Sequence, residues 1–399
     1  MLLFCRSSTL TIIESEDPVT PGELTFKNAK IVTPTGIVQG TVHVCSGVIA
    51  DIDATASAVP AAIDCEGDYL LPGLVDLHTD NLERHVKPRN NADWPVMAAL
   101  VAHDAQMVTA GITTILDSLA VGVVGYASRT FESLKKTVAA VAVARQERIL
   151  RGDHFLHLRA EISNEGLLEQ FSAIYPDPHV LLLSLMDHTP GQRQWRDLEK
   201  FVAMEKTDFN LTQEEIDRFL NTSQERHQQI SGPNRASILS TVEGHAIALA
   251  SHDDTTQEHV DQAYAEGIAI SEFPTTVEAA EAARDKGMKI VAGAPNLVLG
   301  RSHSGNVSAE ELAKRGLLDA VASDYVPSSM LQGAFLLAER GTMPLHEVIN
   351  MVSLAPAWMV GLVDRGSIEI GKRADLVRVR KSAQLPLPLM VWREAVRVA

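Results

Sequence analysis

The chain has 399 residues, of which 45% are hydrophobic, and its formal net charge is −16. This length and composition allow a large catalytic domain with a smaller second one, and they exclude a disordered chain. The negative charge argues against nucleic acid or an anionic membrane as a partner, because a phosphate backbone demands a basic surface.

Neither a membrane span nor a secretion signal is predicted. No apolar run approaches the ~18 residues that cross a bilayer, and the opening residues MLLFCRSSTL have too short an apolar core for a signal peptide. The cysteines Cys5, Cys45 and Cys65 are widely spaced and odd in number, so neither a zinc finger nor a disulfide framework is implied. We therefore expect a cytoplasmic protein.

The two ends of the chain share one sequence pattern. Residues 1–21 are irregular and are expected to be a leader with little structure. In residues 22–70 and again in residues 364–399, polar and apolar residues alternate between Gly and Pro breaks, which is typical of short antiparallel strands. We expect both ends to form one small β-sandwich domain; the alternative is two unrelated β flaps.

Residues 71–363 alternate short apolar runs with helical stretches. The predicted strands are residues 74–78, 112–117, 154–161, 179–187, 246–252, 267–273, 289–295 and 317–324. The predicted helices cover residues 95–110, 125–151, a stretch from 166, most of 192–235, 276–287 and 308–316, with Thr212 and Glu215 as a capping box. Eight strands with intervening helices predict an α/β fold, a TIM-like (β/α)8 barrel. An open doubly wound sheet is the competitor, but no glycine-rich dinucleotide motif favours it.

The first predicted strand of the barrel ends in a candidate metal motif, LVDLHTD. Side chains alternate faces along a strand, so His78 and Asp80 point the same way. An imidazole nitrogen and a carboxylate oxygen side by side are suited to a divalent metal. The alternative is that Asp80 caps a turn and that His78 is a surface residue.

Polar residues at the carboxyl ends of the predicted strands are rich in histidine and carboxylate. They are His78, Asp80, Asp117, Glu161, Asp187, His188, His252, Asp253, Asp254, Glu272, Asn296 and Asp324. Active groups of such barrels lie at this end. Metal-assisted hydrolysis needs such histidines and carboxylates, including one carboxylate that accepts a proton from water. Asp324, which ends the last strand, is well placed as that base.

Several motifs resemble the amidohydrolase superfamily. They are HTD after PGLVD, a glutamate on an early strand, two later histidines, an aspartate on the last strand, and a closing SLAPA followed by GSIEIGKRADLV. The resemblance covers nearly the whole chain from about residue 22. The usual first-strand motif is His-x-His, and Asp80 in the second histidine's place is a departure that narrows the match.

Six blocks resemble one branch of that superfamily, the α-D-ribose 1-methylphosphonate 5-triphosphate diphosphatases of the carbon–phosphorus lyase pathway. The blocks are HTDNLERH, SLMDHTPGQRQ, ASHDDTT, EFPTT, GAPNLVLGRSHSGN and SDYVPSSML. This resemblance implies phosphonate utilisation, in which metal-activated water removes pyrophosphate from a ribose-phosphonate 5-triphosphate and leaves the 5-phosphate.

The resemblance also implies one or two divalent metal ions per chain, zinc, manganese or iron, with zinc expected in a crystal. The implied metal ligands are His78, Asp80, Glu161, His188, His252 and Asp324. His78 and Asp80 hold one metal, His188 and His252 hold the second, and Glu161 bridges the two metals. His157 and Asp187 are competitors for a ligand role. Asp324 is also the implied catalytic base.

The loop of residues 293–306 is rich in Gly, Ser and Asn and is predicted to bind phosphate through backbone N–H groups. The residues expected to bind substrate are Asn296, Arg301, His303, Ser304, Asn306, Thr275 and Thr276. An ordinary surface loop is the alternative for 293–306, and helix capping is the alternative for the two threonines. Arg84, Lys87 and Arg89 form a basic cluster that either binds phosphate or is simply solvated.

Two further hypotheses compete with the diphosphatase. One is an amide- or imide-bond hydrolase of the same superfamily, and the other is an inactive binding protein, which has no need of costly buried carboxylates. His43, His103, His227, His259 and His346 are expected to be structural or exposed, His85 and His157 are left open, and residues 192–235 are a candidate lid. Many such barrels associate, so a homo-oligomer is the remaining expectation about partners.

Overall fold

The computed structural model describes residues 22–399 apart from 56, 58, 90, 91, 123–129, 197, 200, 203–211, 303 and 304. The predicted leader, residues 1–21, lies outside this part of the chain. Five strands come first: β1 Leu24–Thr33, β2 Gly36–Cys45, β3 Val48–Asp53, β4 Ile63–Asp64 and β5 Tyr69–Pro72. The first three form an antiparallel meander, β1 with β2 and β2 with β3.

The next eight strands form a parallel sheet in which each strand pairs with the following one. They are β6 Leu74–Thr79, β7 Ile112–Val121, β8 Asp153–Glu161, β9 Val180–Met186, β10 Ala248–His252, β11 Ile270–Glu272, β12 Lys289–Gly293 and β13 Ala320–Ala322. The amide of Asp324 donates to the carbonyl of His78 (2.9 Å), which joins the last strand to the first. The predicted (β/α)8 barrel is confirmed, and the open doubly wound sheet is wrong.

Helices connect and surround these strands. They are α1 Asn81–Val86, α2 Val96–Thr109, α3 Phe131–Gln146, α4 Leu167–Ile174, α5 Gln213–Val242, α6 Gln257–Ala265, α7 Val277–Asp285, α8 Ala294–Leu299, α9 Ala309–Lys314, α10 Ser329–Glu339, α11 Leu345–Met351 and α12 Leu354–Met359. A 3₁₀ turn covers Arg193–Trp195. Thr212 and Glu215 form the predicted capping box of α5. Among the described residues, no helix is both long enough and apolar enough to cross a membrane.

Several predicted boundaries differ from the structure, among them those of one helix and one strand. The helix predicted over residues 125–151 is described only as α3, Phe131–Gln146, because Arg148 adopts a left-handed conformation (φ 55°) that ends the helical turn; residues 125–129 of that prediction lie outside the described part of the chain. The strand predicted to end at Asp117 continues to Val121, since β8 pairs with β7 along that whole stretch.

The second sheet contains strands from both chain ends. The C-terminal strands β14 Leu376–Lys381, β15 Pro386–Arg393 and β16 Val396–Arg397 extend it in the order β16-β15-β14-β5-β1-β2-β3, with β4 on β1. One buried cluster includes Phe26 and Ile49 from the N-terminal strands and Leu376 and Trp392 from the C-terminal strands. The prediction of one domain built from both ends is confirmed, and the alternative of two unrelated flaps is wrong.

Side chains inside the barrel change from apolar to polar toward the carboxyl ends of the strands. Ala250, Ile270 and Ala322 belong to an apolar layer in the interior. Because side chains two positions apart share a face of a strand, His252 and Glu272 lie directly above the first two. The barrel interior thus carries its polar groups at the end where strands lead into the loops.

Candidate active site

A cavity of about 290 Å³ opens at the carboxyl ends of the barrel strands. Its lining includes the side chains His78, Asp80, Arg159, His188, His252, Asp253, Asn296, Arg301, Asn306 and Asp324. These residues come from strands and loops spread over the whole barrel sequence. The convergence follows from the closed parallel sheet, in which all strands end at the same side.

Carboxylates hold three imidazoles by Nδ1. The Nδ1 atoms of His78 and His252 donate to the two oxygens of Glu272, at 2.8 and 2.6 Å. His188 Nδ1 donates to Glu161 Oε2 at 2.7 Å. A proton fixed on Nδ1 leaves the lone pair on Nε2 for a metal, which is the usual arrangement of carboxylate, histidine and metal.

Two further carboxylates lie beside the Nε2 atoms, and Asp324 joins His78 and Asp80 in one group. His78 Nε2 lies 3.7 Å from Asp80 Oδ1, and the Nε2 atoms of His252 and His188 lie 3.4 and 3.8 Å from Asp253 Oδ2. Two sets of donor atoms, each within 4.8 Å of one another, result: His78, Asp80 and Asp324, and His188, His252 and Asp253. Neutral imidazole and carboxylate are the ligands of zinc, manganese and iron, so the residues fit the predicted metal.

The backbone turns sharply where these strands end. Asp253, Phe273 and Asp324 have φ values of 56, 55 and 56°, a left-handed conformation that is uncommon for residues other than glycine. All three line the cavity. Such backbone strain concentrates at functional sites, where the surrounding structure holds it in place.

The electrostatic environment favours positive charge in the cavity. Burial lowers the pKa of His78, but the charge of Glu272 outweighs it and the pKa rises to about 10. Burial raises the pKa of Glu272, but His78 and the other imidazoles hold the pKa of this carboxyl well below its usual range. Both side chains are only 1% exposed, so the solvent screens these charges little.

Glu161, predicted to bridge two metals, contacts His188 in the structure. Its Oε2 accepts from the imidazole and its Oε1 accepts from the His188 amide (3.1 Å) and from Ser163 Oγ (2.8 Å). These contacts orient a histidine, and the bridging role stays a prediction.

The two competitors for a ligand role have other partners. The ring nitrogens of His157 lie 3.0 Å from the Leu77 carbonyl and 2.6 Å from Ser184 Oγ. Burial lowers the pKa of His157 to about 3. Asp187 Oδ2 is 2.9 Å from His227 Nδ1 on α5. Both residues therefore belong to the framework around the cavity.

The predicted substrate-binding residues divide into three groups. Asn296, Arg301 and Asn306 line the cavity, whereas His303 and Ser304 lie outside the described residues. Thr276 accepts from the Ala279 amide (3.1 Å) and so caps α7. Thr275 is buried and lies 2.9 Å from Thr255 Oγ1. Of the described residues, these two threonines are outside the cavity lining. The contact of Thr276 matches the helix-capping alternative, whereas Thr275 contacts a neighbouring loop.

The basic cluster after the first metal motif reaches the edge of the cavity through one residue. The Arg84 guanidinium lies 5.4 Å from the ring centre of Tyr325, and Tyr325 lines the cavity. Arg84 and Arg89 are exposed and Lys87 is partly exposed. Arg84 is thus the member of the cluster with a described contact to a residue of the cavity lining.

Sequence reasoning gave no role to Arg159, Asp253 or Glu272. Asp253 and Glu272 were among the strand-end residues, but their spatial partners depend on how neighbouring strands are aligned. Arg159 precedes Glu161 by two positions on β8, so the strand period places both on the interior face. That period is the signal by which Arg159 could have been found.

A second group of histidines and aspartates lies between β7, β8 and α2. His103 Nε2 donates to Asp117 Oδ1 (2.8 Å) and His103 Nδ1 accepts from Asn81 Nδ2 (3.0 Å). His154 donates to Asp117 Oδ2 (2.7 Å) and to Asp104 Oδ1 (3.2 Å). Every one of these ring nitrogens has a hydrogen-bond partner, so the group is structural, as predicted for His103.

The fold and the donor set together define a class, the metal-dependent hydrolases built on a (β/α)8 barrel. The sequence matches the model of the amidohydrolase family over residues 69–391. The chain therefore belongs to the amidohydrolase family, as its motifs suggested.

Known proteins resemble this chain at two levels. It is 42% identical to the α-D-ribose 1-methylphosphonate 5-triphosphate diphosphatase of Escherichia coli (strain K12) over 94% of this chain and 99% of that protein. Its fold resembles a dihydropyrimidinase from Brevibacillus agri (TM-score 0.60, 14% identity, 94% of each chain). It also resembles an N-acetylglucosamine-6-phosphate deacetylase from Thermotoga maritima (TM-score 0.58, 15% identity, 94% of this chain and 99% of that one). At such low sequence identity, the similarity to these two structures is evidence for a shared fold and not for a shared function.

Proposed function

We propose that this protein hydrolyses α-D-ribose 1-methylphosphonate 5-triphosphate to the 5-phosphate and pyrophosphate, in phosphonate utilisation. The observation that carries the proposal is the convergence of three imidazoles and three carboxylates in one cavity. The chain's 42% identity to the E. coli diphosphatase supports this substrate over the amide or imide of the competing hypothesis.

The proposed metal ligands are the side chains whose donor atoms face the cavity. They are His78, Asp80, His188, His252, Asp253 and Asp324. Glu161 and Glu272 orient the imidazoles, and bridging by Glu161 is the alternative that the sequence motif suggested. Zinc is the proposed metal, with manganese and iron as alternatives that the same ligands accept.

The chemistry is the hydrolysis of a phosphoanhydride. A divalent metal bound here supplies Lewis acidity, which makes water more acidic and withdraws charge from phosphoryl oxygens. The water oxygen forms a bond to a phosphorus of the anhydride between the α and β phosphates, and the bond from that phosphorus to the bridging oxygen breaks. Asp324, at the cavity wall, accepts the proton that the water loses.

The substrate's negative charge requires donors near the metal. Asn296, Arg301 and Asn306 line the cavity and supply amide and guanidinium N–H groups to phosphate oxygens. The 3₁₀ turn also contributes Gln194 to the lining, which supports a covering role for the start of the candidate lid, residues 192–196. The free thiols of Cys45 and Cys65 fit the proposed cytoplasmic location.

The test is to incubate the metal-loaded protein with the ribose-phosphonate 5-triphosphate and to follow the products by phosphorus magnetic resonance. Pyrophosphate and the 5-phosphate should appear together, in equal amounts. Release of single phosphate, or no release beside rapid hydrolysis of a cyclic imide, would contradict the proposal. Protein stripped of metal by a chelator is the matched control, and it should regain activity when metal is restored.

A further inference from the structure

Arg159 is a buried cation in the wall of the cavity. Its side chain is 9% exposed and lines the cavity, and its Nη1 donates to Asp80 Oδ1 at 2.7 Å. Among the described residues, Nε of Arg159 is buried and has no hydrogen-bond partner. A buried donor without a partner costs about 1–3 kcal/mol, so such a donor calls for a ligand that satisfies it.

The geometry of the guanidinium says what kind of ligand fits. Nη1 lies on one side of the planar group and is taken by Asp80. Nε and Nη2 form the opposite edge, whose two N–H groups run parallel and match two oxygens of a phosphate or carboxylate. The edge of the guanidinium that carries the unpaired Nε is therefore the one suited to an oxyanion.

The charges around Arg159 point to the same ligand. The guanidinium of arginine is always charged in proteins, and Asp80 Oδ1 lies 2.7 Å from its Nη1. Asp80 and His78 are also proposed metal ligands. A guanidinium next to a divalent cation is a repulsive pair in a cavity of low dielectric constant, unless an anion lies between them. A phosphate that contacts both would remove that repulsion.

We propose that Arg159 binds the substrate's phosphate oxygens through the guanidinium N–H groups that Asp80 does not use, and thereby selects phosphate substrates at this metal site. The inference rests on the proposed diphosphatase function and adds to it the residue that recognises the polyphosphate. Arg159 approaches the ligand from the barrel interior, whereas Arg301 approaches from the loop after α8.

The experiment measures the binding of inorganic pyrophosphate to the metal-loaded protein by titration calorimetry. Arg159→Met should weaken binding about 10- to 100-fold, the effect of losing charged hydrogen bonds. Arg159→Lys keeps the charge but loses the two parallel donors, so it should weaken binding by a smaller factor and keep the fold if the first variant does not. Arg315→Met, which replaces an exposed arginine after α9, should bind like the wild type.

Metal content, measured by elemental analysis, separates this role from a structural one. Arg159 variants that keep their metal and bind pyrophosphate as tightly as the wild type would overturn the proposal. So would variants that lose metal and recover full binding when metal is supplied in excess, since Arg159 would then act only through Asp80. If the wild type binds pyrophosphate through Arg159 but does not cleave the ribose triphosphate, the proposed function fails and the inference stands.

Discussion

The backbone amide of Asp80 donates a 2.8 Å hydrogen bond to the carbonyl of Asp324, so the first and last strands of the barrel meet at the proposed metal site. Both carboxylates belong to one set of donor atoms with His78. Asp76, at the same seam, accepts from the amide of Ser323 (2.9 Å). Closure of the barrel therefore brings together two ligands that are far apart in the sequence.

Asp324 is the residue that we expect to affect turnover most. Asp324→Asn should keep the fold, because asparagine also tolerates the left-handed backbone found here. It should lower kcat for the triphosphate by about 10²–10⁴-fold, since an amide cannot accept the proton from water. Steady-state kinetics measure the loss, and circular dichroism confirms the fold. Near-normal turnover would remove Asp324 from the role of base.

Glu272 is predicted to govern metal affinity without binding the metal. In Glu272→Gln, the amide nitrogen faces Nδ1 of His78 or His252, so that imidazole must carry its proton on Nε2 and loses its lone pair toward the cavity. Metal affinity should fall about 10- to 100-fold, as for other residues that orient metal ligands. Competition with a chromogenic chelator measures it.

The matched control is Glu278→Gln, at an exposed position of α7. It should bind metal like the wild type. Unchanged affinity in Glu272→Gln would show that the orientation of the two histidines does not depend on this carboxylate.

The sequence predicted the barrel because its apolar runs and helix signals are local. Apolar runs such as Ile112–Asp117 and the capping box at Thr212 depend on residues within one element. The residues around the metal site were predicted only in part, because the contact of Glu272 with His78 depends on the alignment of strands far apart in the chain. Arg159 was missed for a different reason. Arginine is not a metal ligand, and its hydrogen-bond partner Asp80 follows β6, whereas Arg159 lies on β8.

Arg193 is predicted to hold the end of β10 in place. Its Nη1 donates to Asp254 Oδ1 (2.6 Å) and to the carbonyl of His252 (2.8 Å), and all three residues are buried. Arg193→Ala leaves the Asp254 charge buried without its cation, so the free energy of unfolding should fall by about 3–5 kcal/mol. Urea denaturation measures it. Arg196→Ala, an exposed neighbour, is the control and should change stability little.

Asp153 should make stability depend on pH in the acid range. This carboxylate begins β8 and lies 2.7, 2.6 and 3.2 Å from Arg365, Arg373 and Arg393. Burial raises its pKa, but the three guanidinium groups outweigh burial and lower the pKa from 3.8 to about 2. The ionised form is therefore favoured in the folded protein, and its contribution is present above about pH 4 and lost as the pH falls toward 2.

A shift of this size corresponds to about 2 kcal/mol at neutral pH. Asp153→Asn should lower the free energy of unfolding by at least that amount at pH 7, because it also leaves three arginines without their shared carboxylate. The difference from the wild type should shrink as the pH falls from about 4 to 2, since the wild-type carboxyl is then protonated as well. Urea denaturation at a series of pH values measures both effects, with Asp285→Asn at an exposed position as the control. A difference that stays constant over that range would show that Asp153 stabilises the protein through its shape and hydrogen bonds and not through its charge.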